Sequence, residues 1–104
     1  MILTNIESVP GKNVREHYGI VSGSTVRAKN VFSDIGAGLK NMVGGELGNY
    51  TKLLNESRHQ ATERMIEQAK QLGANAIINV RFATSSIAQG ASELYVYGTA
   101  VTVE

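Results

Sequence analysis

At 104 residues, with no cysteine and a net charge of only +1 from ten basic and nine acidic side chains, the chain is bounded before any motif is read. The length suits one domain, residues 1–104, with a single modest core, and 42% hydrophobic against 18% charged residues marks a globular chain. Without cysteine there is no disulfide, thiolate metal site or cysteine nucleophile, and the near-neutral balance argues against a general nucleic-acid binder.

No apolar run approaches the roughly 18 residues of a membrane span. The start, MILTNIESVPGK, lacks a basic stretch leading into an apolar one, so no secretory signal is expected and the cytoplasm is the expected location.

Met1 to Ile6 reads as a short strand stopped by the Pro10-Gly11 turn pair. Val14 to Ala28, rich in valine, isoleucine, threonine and tyrosine, reads as one bent strand or two short ones. Gly23-Ser24 is then a bulge or a hairpin turn. Asn30 to Val43 places Ile35, Leu39, Met42 and Val43 at helical spacing, which predicts a short helix ended by Gly44-Gly45.

From Gly44 to Asn75 the pattern predicts one long helix of about seven turns. Its apolar stripe is Leu47, Tyr50, Leu54, Ala61, Met65, Ala69 and Leu72, widened by Leu53 and Ile66. Glu46, Lys52, Glu56, Arg58, Glu63, Glu67 and Lys70 lie mostly off it, and Gly73 is placed to stop the helix in a left-handed conformation.

Ala76 to Thr84 follows as a strand, with Ala76, Ile78, Val80 and Phe82 expected on one face. Ser85 to Ala91 is expected to be a hairpin-like loop, and Ser92 to Val103 the last strand. That last strand is apolar on both faces: Leu94, Val96, Gly98 and Ala100 on one, Tyr95, Tyr97, Val101 and Val103 on the other. One helix cannot cover both. Either the N-terminal strands fold across the second face, or copies of the chain cover one another, and assembly is the reading taken.

The order of elements predicts an α+β two-layer sandwich, an antiparallel sheet with one long and one short helix. The blocks VRAKNVFSDIGAGLKNMVGGELGNYTKLL, LGANAIINVRF and ELYVYGTAV, with the PGK turn at Pro10, resemble the YbjQ-like family of small bacterial and archaeal proteins along the whole chain. The resemblance implies a dodecin-like subunit assembled as a ring, a homopentamer. It also carries the family's heavy-metal-binding label.

The residues offer that label little. Soft metals favour thiolate, thioether or imidazole, and here His17 and His59 stand with three scattered methionines. The one cluster with ligand spacing is Glu56, His59 and Glu63, at offsets of three and four on one helical surface. It is the candidate metal site, with further ligands to come from a neighbouring subunit; a solvated helix face is the plainer reading.

Gly36-Ala37-Gly38 and Gly44-Gly45 fit neither glycine-rich phosphate-loop pattern. His17 and Ser85-Ser86 carry no nucleophile-elbow motif, so no enzyme is expected and no cofactor. Arg15, Arg27, Lys29, Asn79 and Arg81 are candidates to line a shared surface of a ring. Tyr95 and Tyr97 are candidates to pack between subunits. The expectation is a homo-oligomeric binding or structural protein whose partner is itself, with no nucleic acid and no membrane.

Overall fold

The structure is a computed structural model that describes residues 1–27, 47–88 and 91–104. Five elements follow in order: β1 (Ile2–Leu3), β2 (Val14–Arg27), α1 (Leu47–Leu72), β3 (Ala76–Ala88) and β4 (Ala91–Val103). The short helix expected over Asn30 to Val43 lies outside the described residues, as do the side chains of Leu47 and Tyr50.

The four strands form one sheet in the order β1-β3-β4-β2, with α1 packed on one face, so the α+β two-layer reading holds. The expected antiparallel sheet is corrected: β4 runs antiparallel to β2 and β3, but β1 pairs parallel with β3. The cause is topological. Strands β1, β2 and β3 all run the same way, so the chain must cross back twice, and a parallel pair follows from any such return.

The first crossing is made by residues 4–13, beneath the face away from the helix. Val9 is buried there against Ala76, Ile78, Val101 and Val103. Its ends are tied by main-chain bonds, Asn79 N to Ile6 O at 2.9 Å and Asn13 N to Glu104 O at 2.9 Å. The second apolar face is therefore covered from within at that end.

The second crossing includes α1, whose buried stripe is Ser57, Ala61, Met65 and Ala69, four residues apart. With Val21, Ile77, Val96 and Ala100 these side chains make the main core. Leu72, on the same stripe but in the last turn, remains 45% exposed. Gly73 ends the helix as its sequence predicts: its φ is 91°, and the bonds Gly73 N to Lys70 O and Ala74 N to Ala69 O close a Schellman motif.

β2 is a single bent strand, but its irregularities fall between Val14 and Glu16 and between His17 and Gly19, not at Gly23-Ser24. Gly23 serves packing instead. A Cβ built there lies 2.0 Å from the Ala61 carbonyl oxygen and 2.5 Å from the Met65 nitrogen, so the helix backbone rests on this strand. At that distance Gln68 Oε1 accepts the Ser22 amide at 2.7 Å, and Arg64 donates to the Ser24 carbonyl. These bonds occupy backbone groups on an edge strand that are otherwise open to another chain.

β3 holds a bulge that alternation does not reveal. Ile78 pairs with Thr99 and Arg81 with Tyr97, so Asn79 and Val80 both face Gly98, with Asn79 at a φ of 54°. The extra residue reverses the parity. Ala76 and Ile78 lie under the sheet, whereas Val80 packs with the helix-side core, so the four residues expected on one face are split between two. The expected loop from Ser85 to Ala91 is also corrected, since β3 continues to Ala88 and β4 begins at Ala91.

Two substitutions test this packing by equilibrium urea denaturation. Gly23→Ala forces the helix off β2 and should cost about 3 kcal/mol or more. Gly73→Ala meets only Tyr18 Oη at 3.8 Å and should cost about 1 kcal/mol for its left-handed backbone. Equal, small losses would mean that the helix does not rest on Gly23.

Candidate functional site

Helical geometry sorts the polar side chains of α1. At about 100° per residue, Glu56, His59 and Glu63 fall on the pole opposite the buried stripe, and all three are exposed. Glu56 and His59 border an open hollow of about 510 Å³ with Thr51, Lys52 and Asn55; Glu63 does not. The Lys52 side chain brings positive charge into that hollow, which opposes a cation. Among the described residues no three His, Asp or Glu side chains are gathered so as to hold a metal ion.

The other candidates stay apart. His17 pairs across from Val101 and Ser85 from Glu93, eight residues along β4, which at about 3.3 Å per residue puts them more than about 20 Å apart. Ser85 Oγ instead donates to Glu93 Oε1 at 3.5 Å. Arg15 pairs with Glu104 at 2.8 Å, and Arg81 donates to the Asn5 carbonyl at 2.6 Å, so neither joins a cluster. Arg27 and Lys29, and the glycines at 36, 38, 44 and 45, fall outside the described side chains. Tyr95 and Tyr97 lie side by side on the face away from the helix, ring centroids 5.8 Å apart and tilted by 31°.

That face is not fully covered. Beyond the reach of residues 4–13, Ile20 is 79% exposed, Val26 52% and Tyr97 38%. All three share its parity, because Ile20 pairs with Thr99, Ser22 with Tyr97 and Val26 with Glu93.

A second feature was not legible as a motif. Between α1 and the sheet lies a cavity of about 160 Å³, roofed by Leu54, Ser57 and Arg58 and floored by Thr25, Leu94 and Thr84. The floor is one rung across three strands, since Thr25 and Thr84 both pair with Leu94. Ser92, two residues along β4 on the same parity, closes one side. Thr25 and Ser57 are buried, at 2% and 4% exposure, and Thr25 Oγ1 donates to the Ser57 carbonyl at 3.4 Å. Arg58, exposed as the sequence predicts, also borders this cavity. The available signal was hydroxyl residues at inward positions, Thr25 after Val21 and Gly23, and Ser57 one turn before Ala61.

The comparisons agree with one another. The YbjQ family model, described as "Putative heavy-metal-binding", matches residues 1–104. A UPF0145 protein of Hahella chejuensis is 64% identical over 104 residues, covering all of both chains. One from Archaeoglobus fulgidus is 55% identical over 101 residues, covering 97% of this chain and 94% of its own. A crystal structure of a protein with unknown function from Pediococcus pentosaceus, assigned to the DUF74 family, superposes with a TM-score of 0.63. It covers 100% of this chain and 98% of its own at 14% identity, a likeness of fold alone. Among the described residues no helix is long and apolar enough to cross a membrane.

The metal chemistry of α1 is tested by calorimetric titration with Zn²⁺, Ni²⁺ and Cu²⁺. The exposed triad should give no saturable binding tighter than about 10 µM, and His59→Ala should leave the isotherms unchanged. A tighter site that His59→Ala removes would establish the triad as ligands.

Proposed function

We propose, from the premise that this chain belongs to the YbjQ-like family, that it is a homo-oligomeric binding or structural protein rather than a catalyst. The unit is a ring of dodecin-type subunits in the cytoplasm, with five copies as the number the resemblance implies. The supporting observation is the uncovered row Ile20, Val26 and Tyr97 on the face away from the helix. The row combines aliphatic and tyrosine surface with interleaved serines, a composition suited to the core of an interface between copies. Among the described residues, Val9 covers Val101 and Val103, while Ile20, Val26 and Tyr97 stay exposed.

A metal-binding reading keeps one supporting feature, the hollow that Glu56 and His59 share. It requires a neighbouring copy to bring further ligands to the outer pole of α1, and it competes with Lys52 for that space.

Light scattering tests the assembly. The wild-type should have a molar mass near five times the 11.2 kDa of one chain. The double substitution Ile20→Lys and Val26→Lys should reduce it to a single chain, while changing the stability of the subunit by only about 0.5 kcal/mol per site. A wild-type monomer at micromolar concentration overturns the reading. An unchanged mass in the variant moves the interface off this face.

A further inference from the structure

We propose that the seam cavity binds a small oxyanion, a carboxylate or a phosphate, held by the Arg58 guanidinium and the hydroxyls of Thr25, Thr84 and Ser92. The inference rests on reading the chain as a binding protein, and it names the ligand class and the place.

The floor of the cavity breaks the pattern of the rungs beside it. Moving along the helix-side face, Val21 stands beside Gly98, and Gly23, Val96 and Phe82 share the next rung. All of these are apolar. The third rung is Thr25, Leu94 and Thr84, and Ser92 follows. Thr25 is buried, Ser92 half-buried and Thr84 exposed, and a helix–sheet seam gains nothing by burying a hydroxyl such as that of Thr25 where a valine fits, because it must find a partner. Among the described residues the Thr25 hydroxyl, 2% exposed, donates a long bond of 3.4 Å to the Ser57 carbonyl, so a better acceptor in the cavity can receive that hydrogen bond instead.

Among the described residues that line the cavity, the charged ones are Arg58 and Glu93. Arg58 spends one N–H on Asn55 Oδ1, and a guanidinium carries five donors in a rigid fork suited to two oxygens of one anion. The ion pair formed among the described residues, Arg15 with Glu104, does not involve it. Glu93 borders the cavity, but its position on β4 is of the opposite parity, and its carboxylate accepts the Ser85 hydroxyl on the far face. What remains is a set of donors around a space of about 160 Å³. That is several times the roughly 30 Å³ share of one water in the liquid, and of a size for a phosphate or a short dicarboxylate. No aromatic ring borders the cavity among the described residues, so a stacked base is a poor fit.

Calorimetry at low salt with inorganic phosphate and, separately, malonate tests the site. One of the two should bind saturably at one equivalent per chain, and whichever binds tighter assigns the class. Arg58→Gln, at an exposed position, should weaken binding by roughly tenfold or more, and Thr84→Val by several-fold. Arg81→Gln, on the opposite face, should leave it unchanged. The inference is overturned if neither anion saturates below about 10 mM, or if Arg58→Gln binds as the wild-type does. Light scattering on the same samples separates this inference from the assembly: loss of binding with the mass intact removes the site alone, and a binding monomer removes only the ring.

Discussion

The structure depends on the contact between Gly23 of β2 and the backbone of α1 at Ala61 and Met65. No side chain fits between them, so the helix axis lies low over β2 and β4. The small residues Ala61 and Ala69 allow that approach, and Met65 fills the core beside them. Two further features follow from it. Arg64 and Gln68 come near enough to bond the backbone of β2, and the β3 side of the same helix face is left less covered. Val80 is only partly buried, Phe82 is 51% exposed, and the seam cavity opens between Arg58 and Thr84. The tight contact on one flank and the cavity on the other are one geometric fact.

The second face of the sheet answers to a different constraint. Parallel β1 and β3 oblige residues 4–13 to cross under the sheet, and that crossing buries Val9 with Val101 and Val103. Tyr97, on the rung of Ser22, nevertheless stays 38% exposed. Among the described residues an apolar row of Ile20, Val26 and Tyr97 therefore stays exposed. Because side chains of α1 already occupy backbone groups of Ser22 and Ser24, the sheet edge is not open to extension at that point, and the proposed assembly would use the face instead.

Local signals were legible and non-local ones were not. The stripe Ala61, Met65 and Ala69 and the stop at Gly73 depend on neighbours within a turn or two, so the long helix could be read directly. The direction of β1 depends on pairing with Ala76 and Ile77, some seventy residues away, and no periodicity records it. Alternation also failed at Asn79: an asparagine that adopts a left-handed φ inserts one residue and reverses every face beyond it. Reading straight through that bulge put Val80 with Ile78. Arg58 is exposed as its charge predicts, and it also borders the seam cavity.

Charge in this small, nearly neutral chain is arranged rather than abundant. Glu56, Glu63 and Glu67 stand exposed on α1, Glu56 and Glu63 at its outer pole, while the polar groups turned toward the seam are hydroxyls and one guanidinium. The two sets suit opposite ligands. Carboxylates with an imidazole suit a cation, but a single helix supplies too few of them, so a metal centre there depends on a second copy. Donors converging from three strands and a helix of one chain suit an anion and need no second copy. Whether a ligand survives dissociation of the proposed assembly therefore distinguishes the two chemistries, because the requirement for a neighbour belongs to only one of them.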